Sequence, residues 1–293
     1  MQKRTYGKSK LEVSVLGLGA GQVGDASQDE AQVGRLLNTA LDLGITLIDT
    51  ARGYGLSEAR IGRHLAHRRA EFVLSTKVGY GIPGLADWSA GVIAAGVDEA
   101  LRQMRTDHID IVHLHSCELH VLRSGEVLGA LERAHEQGKV GIVAYSGEND
   151  ALAWAVDSGR FGGVECSVNL FDQASLGGPL VRAAEHGLGV IAKRPLGNAP
   201  WRFAQRPAGH YCETYWGRLH SLAYDTAGMP WDELALRFAA FRPEVSCAIV
   251  GTASLEHLRH NIMLAEKGPL PADRVAAIRR RFGQVGAGWR GEV

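Results

Sequence analysis

No apolar run in the 293-residue sequence reaches the ~18 residues that a membrane-crossing helix needs. The first residues, Met1-Gln2-Lys3-Arg4-Thr5-Tyr6, have no apolar stretch behind their positive charges, so no secretory signal is expected there and the expected address is the cytoplasm. Cysteine is scarce. Cys117, Cys166, Cys212 and Cys247 lie far apart and form no CxxC pair, which points to reduced, buried thiols. Neither sign of charge is in excess: Lys+Arg and Asp+Glu total 32 each and the formal net charge is 0. Such a chain offers no electrostatic footprint for nucleic acid or an anionic membrane. The basic cluster Arg279-Arg280-Arg281 reads as a solvated helix face. No linker or low-complexity stretch marks a second domain.

Glycine is plentiful at 37 residues, and it recurs where a helical pattern stops and a short apolar run begins. Apolar runs at residues 13–18, 45–49, 72–77, 109–115, 140–145, 164–167, 187–192 and 245–250 read as eight strands. Helical periodicity falls between them, at residues 28–43, 58–65, 89–104, 126–136, 151–157, 180–186, 231–241 and 254–265. Apolar strands alternating with helices imply a parallel sheet, and eight such units close a barrel. The expected fold is therefore α/β, a single-domain (β/α)8 TIM barrel over residues 1–293. A short N-terminal β-hairpin, residues 2–12, closes its bottom.

One motif invites another reading. Gly19-Ala20-Gly21-Gln22-Val23-Gly24 matches G-x-G-x-x-G after a strand, and Asp49 ends the next strand where a ribose-binding acid would sit in a Rossmann-type dehydrogenase. Against it, residues 25–29 separate the glycines from the next helix, so the helix N-terminus would miss a pyrophosphate. The eightfold alternation also suits a closed barrel better than an open sheet.

Barrel enzymes work at the C-terminal ends of their strands. Read off those ends, Asp49, Tyr54, Lys77 and His115 converge on one mouth from three consecutive units. A phenol has a reference pKa of about 10, and a neighbouring ammonium lowers it. Lys77 supplies that charge, with Asp49 holding it protonated, while His115 can orient a carbonyl oxygen or share its proton. Hydride transfer needs such an acid, because the oxygen gains a proton as the carbon gains hydride.

Asp49-Thr50-Ala51-x-x-Tyr54-Gly55 followed by Ser57-Glu58, then Ser75-Thr76-Lys77, then Ile109-Asp110 with His115 beyond, resembles the aldo-keto reductase superfamily. The similarity runs from the hairpin to about Asn261. It implies a (β/α)8 barrel, a metal-free and NADPH-preferring reductase, and a catalytic tetrad on Asp49, Tyr54, Lys77 and His115. It places cofactor contacts on Gly19, Ala20, Asp49, Ser146, Glu165, Lys193, Arg194, Leu196, Gly251, Thr252, His257 and Asn261. Several of these depart from the family pattern. Gly147-Glu148 follows Ser146 where an Asn is usual, Glu165 replaces a Gln, and Lys193 replaces a residue that stacks on nicotinamide. His257 replaces the Arg that commonly grips a 2′-phosphate, and Gly251 a Lys of some branches. NADP(H) is favoured by the resemblance, with NAD(H) or dual use open.

His113, His115, Glu118 and His120 could be read as metal ligands, but the resemblance gives His115 a metal-free role and no metal is expected. Gly21, Trp88 and Ser116 are candidate substrate contacts, with Trp201, Tyr211, Tyr215 and Trp216 as further pocket walls. The partner is a small carbonyl or alcohol substrate; the oligomeric state stays open. A second reading is a non-catalytic nicotinamide-binding partner protein, resembling channel-associated subunits.

Overall fold

The computed structural model describes residues 1–293. Strands β1 (Lys3–Thr5) and β2 (Glu12–Ser14) form an antiparallel hairpin. Eight parallel strands follow: β3 (Leu16–Gly19), β4 (Leu47–Asp49), β5 (Val73–Val78), β6 (Ile109–His115), β7 (Val140–Ser146), β8 (Gly163–Ser167), β9 (Gly189–Lys193) and β10 (Cys247–Gly251). They pair in chain order, and β10 closes the ring by bonding both β9 and β3. The helices are α1 (Glu30–Asp42), α2 (Ser57–Leu65), α3 (Ala90–Met104), α4 (Leu119–Ser124), α5 (Glu126–Glu136), α6 (Asn149–Asp157), α7 (Pro179–His186), α8 (Glu213–Leu222), α9 (Trp231–Ala240), α10 (Leu255–Glu266) and α11 (Ala272–Val285). This is the expected (β/α)8 TIM barrel with its N-terminal hairpin.

Period-two alternation divides each strand between two environments. Outward residues such as Leu16, Leu18, Ile48, Leu74 and Val112 join the large core between the strands and the helices. Inward residues form a second cluster, Leu47, Val73, Ile111, Ala144, Ile191, Cys247 and Ile249 among them. Two residues further along the same strands the inward positions turn polar: Leu47 gives way to Asp49, Val73 to Ser75 and then Lys77, Ile111 to His113 and then His115. The barrel interior is thus a dry plug below and a polar layer above. That gradient positions the site.

The hairpin seals the lower end. Tyr6 is fully buried, and its ring lies against Gly163 and Gly189, where an added Cβ would come within 2.1–2.3 Å of it. Arg4 donates to the carbonyls of Ala240 and Val245 at 2.8 and 2.7 Å. The strand expected over residues 13–18 is divided, because Val13 and Ser14 pair with β1 and only Leu16 onwards enters the barrel.

The closed ring also disposes of the Rossmann reading. Gln22–Gly24 is a single 3-10 turn, and α1 starts only at Glu30, capped by Asp29 accepting from the Gln32 amide at 2.8 Å. Arg60 on α2 fixes the intervening loop by donating to the carbonyls of Val23, Asp25 and Gln28 at 2.7, 2.7 and 2.9 Å. Gly24 serves close backbone approach, since a Cβ there would lie 1.7 Å from the Tyr54 carbonyl oxygen. Gly24 therefore supports the Tyr54 loop.

Between β9 and α9 the chain forms one more helix, α8. Its Tyr215 is buried and donates to Asp172 at 3.2 Å, and Trp201 stacks on Trp231 with centroids 6.0 Å apart. Tyr215 belongs to the core, and Trp201 packs half-buried against it. Trp216 is tied down through its indole N–H to the Phe203 carbonyl at 2.9 Å, and Tyr211 stands in solvent.

Candidate active site

Asp49 is the last residue of β4, and Lys77 lies one residue from the end of β5. The Lys77 ammonium bonds Asp49 Oδ2 and donates to the Thr50 carbonyl at 3.0 Å. On its other side stands Glu165 of β8, with Oε2 at 3.3 Å. Asp49 is further held by Ser75 Oγ, which donates to Oδ1 at 2.7 Å, and His113 Nε2 lies 3.1 Å from that same Oγ. Asp49, Lys77, His113 and Glu165 are each 1% exposed or less. Buried charges are tolerated only when paired and hydrogen-bonded. Here one cation answers two carboxyls.

Tyr54 sits above this layer, its ring centroid 5.4 Å from Lys77 Nζ and partly exposed at the mouth. Its loop is anchored from below. Thr50 Oγ1 donates to Ser57 Oγ at 2.7 Å, Ser57 Oγ donates to the Ala20 carbonyl at 2.8 Å, and Glu58 accepts from Thr76 Oγ1 at 2.8 Å. His115 ends β6 and meets Tyr54 edge to face, with centroids 6.1 Å apart. The four residues expected to work together are brought together.

Their protonation departs from one expectation. Lys77 does pull the Tyr54 phenol down, but burial and the charges of Asp49 and Glu165 outweigh it, leaving the pKa pushed up to about 12. Burial alone would lower Lys77; the same two carboxylates overcome this and hold the ammonium charged. Burial and the Glu165 charge push Asp49 up, while Lys77 and its neighbours hold Glu165 down against burial, so the two carboxyls titrate as a linked pair. Burial and the Lys77 charge keep His115 neutral by lowering it to about 3, and burial lowers His113 to about 4. The mouth thus presents a protonated phenol and a neutral imidazole.

Asp49, His113 and Glu165 offer three ligand atoms within 4.8 Å of one another. The cation between Asp49 and Glu165, however, is the Lys77 ammonium. The four residues weighed as metal ligands do not share a centre: His113 faces Ser75, His115 faces Tyr80 at 2.7 Å, and Glu118 pairs with His120 at 3.2 Å in solvent.

Other expected residues ring the same mouth. Gly19, Ser146, Lys193 and Gly251 end β3, β7, β9 and β10, and the Ala20 amide donates to the Asp49 carbonyl at 2.7 Å. Glu165 Oε2 is buried without a hydrogen-bond donor, and Ser146 Oγ lies 3.4 Å from Oε1. An amide NH2 group would satisfy that acceptor. Lys193 pairs with Glu148 at 3.3 Å, and Arg194 donates to Ser167 Oγ at 3.3 Å and the Glu292 carbonyl at 2.6 Å, so neither cation is idle. Leu196 follows, half-buried, in the turn after β9. Thr252 Oγ1 accepts from the Ser254 amide at 3.0 Å, Ser254 caps α10, His257 lies exposed in its first turn and Asn261 is buried one turn on. Gly21 lies beside the Tyr54 ring, a Cβ there meeting it at 3.8 Å. Ser116 donates its amide to the Ser146 carbonyl at 2.6 Å, and Trp88 closes the loop after β5.

Two features escaped the sequence reading. Glu148 neutralises Lys193, although its place after Ser146 and Gly147 was in view. Tyr80, three residues beyond Lys77, bonds His115.

The aldo/keto reductase family model matches residues 15–281, and the chain belongs to that family of oxidoreductases, whose members use nicotinamide cofactors. It is 27% identical to L-galactose dehydrogenase of Arabidopsis thaliana, over 89% of this chain and 87% of that one. It is 28% identical to D-threo-aldose 1-dehydrogenase of a Pseudomonas species, over 86% and 89%. Its structure superimposes on the holo form of an aldo-keto reductase from Bacillus halodurans with a TM-score of 0.82, at 27% identity, covering 96% of each chain.

Proposed function

We propose that this chain is an NAD(P)(H)-dependent oxidoreductase acting on the carbonyl or carbinol carbon of a small aldehyde, ketone or sugar. The observation that carries the reading is the Lys77 ammonium held between Asp49 and Glu165, beneath the Tyr54 ring and beside His115, at the open end of the barrel. A nicotinamide cofactor supplies or accepts the hydride at that carbon. Tyr54 gives the oxygen its proton during reduction, and recovers it during oxidation. Lys77 stabilises the phenolate left behind, and Asp49 keeps Lys77 charged and aimed. His115, neutral, hydrogen-bonds the substrate oxygen.

Ser146 and Glu165 would hold the carboxamide, filling the vacant acceptor on Glu165. Gly19, Ala20, Lys193, Arg194 and Leu196 would border the central part of the cofactor, and Gly251, Thr252, His257 and Asn261 its adenosine end. An imidazole at position 257 grips a 2′-phosphate less firmly than the forked donors of an arginine, so use of both NADP(H) and NAD(H) fits this chain. Gly21, Trp88 and Ser116 border the substrate. Sugars enter the reading because two relatives are named for sugar dehydrogenation.

The test is a fluorescence titration with each cofactor in both redox states, followed by a panel of aldehydes, ketones and sugars read by nicotinamide absorbance. Binding with turnover of at least one class is expected. Tight binding with no turnover across the panel, under both cofactors, would favour a non-catalytic binding protein.

A further inference from the structure

His115 is useful to a carbonyl only as a hydrogen-bond donor, and a neutral imidazole carries one N–H on either of two nitrogens. If the proton is on Nδ1, the nitrogen left for substrate is an acceptor and repels a carbonyl oxygen. If it is on Nε2, that nitrogen donates. The choice is fixed by whatever meets the other nitrogen.

Here Nδ1 meets Tyr80. The phenol oxygen lies 2.7 Å from it, and the two rings stack with centroids 5.4 Å apart and planes 26° apart. Burial raises the Tyr80 pKa, so its hydroxyl keeps a proton to give. The ring is braced against rotation. Trp88 meets its edge at 6.0 Å, and the loop between them is pinned by the Trp88 amide donating to Gly79 at 2.8 Å and the Gly81 amide donating to Asp87 at 3.1 Å. Gly79 has φ +150°, and a Cβ there would come within 2.1 Å of the Trp88 ring. A Cβ added at Gly53 would lie 3.0 Å from the hydroxyl, so the glycine keeps that approach clear.

We propose that Tyr80 is a positioning residue: its hydroxyl donates to His115 Nδ1, fixing the Nε2–H tautomer so that His115 points a donor at the substrate oxygen. The inference rests on the reading of this mouth as a carbonyl site. It adds a residue that acts through His115 without touching the reacting atoms.

The test is the 15N spectrum of histidine-labelled resting protein, with the His115 signals assigned by their absence in His115→Ala. Wild type is expected to show His115 protonated at Nε2 and bare at Nδ1. Tyr80→Phe keeps the stacked ring and loses only the donor; it is expected to give a mixture of tautomers. In turnover, kcat/KM for the carbonyl should fall roughly tenfold, the worth of about one hydrogen bond, while cofactor affinity stays unchanged. An Nδ1–H tautomer in wild type overturns the proposal, and so does a Tyr80→Phe protein with the wild-type spectrum and wild-type kcat/KM. Should Tyr80→Phe fail to fold, the wild-type spectrum decides alone. The tautomer is read without substrate, so an enzyme inactive on every carbonyl would remove the functional reading without touching this measurement. Turnover that needs Tyr54 yet ignores Tyr80→Phe would remove the tautomer proposal alone.

Discussion

Tyr54→Phe is expected to lose roughly 10²–10⁴-fold in kcat, the usual contribution of a positioned general acid, while cofactor affinity and folding hold. Only the hydroxyl is deleted, and the anchors of the loop lie elsewhere: Ser57 on the Ala20 carbonyl, and Gly24 against the Tyr54 backbone. The ring stays near Lys77 and His115. Steady-state kinetics beside a cofactor titration separates the two effects. With the phenol pushed up to about 12, Tyr54 is protonated over the ordinary assay range. Carbonyl reduction should therefore show no basic limb belonging to Tyr54 below about pH 10, whereas alcohol oxidation should rise with pH as the phenolate fraction grows. Equal kcat in Tyr54→Phe and wild type would remove the phenol from the mechanism.

Lys77→Met should fail on two counts. Chemically, the phenolate loses the ammonium that stabilises it, and reduction should fall at least as far as in Tyr54→Phe. Structurally, Asp49 and Glu165 stay buried with no cation between them. Removing one partner of a buried ion pair costs about 3–5 kcal/mol, and here the loss strands two carboxyls. The pH dependence follows in sign. Asp49 is already raised above its unfolded value with Lys77 present, and without Lys77 both carboxyls are raised. A raised carboxyl contributes stability that is complete below its unfolded pKa and is lost as pH rises through its folded pKa. Lys77→Met should thus be destabilised most at neutral and higher pH, and should recover towards pH 4. Denaturant unfolding of both proteins at the two pH values measures this. A variant as stable as wild type at pH 8, or one that loses stability on acidification relative to wild type, would contradict the charge balance described for the layer.

Much of the fold was legible because the barrel writes itself twice in the sequence, as eight apolar runs and as the Gly or polar breaks between them. The gathering of Asp49, Tyr54, Lys77 and His115 at one mouth was legible because each stands at or just beyond the end of such a run. The exchange from Leu47 to Asp49, or from Ile111 to His113 and His115, is itself the signature of an interior that turns polar towards the mouth. What the sequence hid depends on contacts between distant segments. Helix α8 buries Tyr215, Arg218, Leu219 and Leu222, a helical spacing disguised by an arginine among the buried set and by flanking proline and glycine. Tyr215 read as a pocket wall because an aromatic residue looks alike in sequence whether it faces a ligand or, as here, Phe171 and Asp172. The direction of the Tyr54 shift was misjudged because Lys77 was visible at a strand end, whereas the burial of the phenol, the largest opposing effect, exists only once the barrel closes, and Asp49 and Glu165 add to it. Tyr80 lies on a loop whose return is set by Gly79 and Trp88, and no local pattern announces that the loop delivers it to His115.

The most direct measurement is the fate of a label. With reduced cofactor carrying deuterium at the transferring C4 position of the nicotinamide, and an accepted aldehyde or sugar in ordinary water, mass spectrometry should find one deuterium on the carbinol carbon of the product. Tyr54→Phe should yield the same labelled product far more slowly. A product formed at wild-type rate without the label at that carbon would contradict hydride transfer at this mouth.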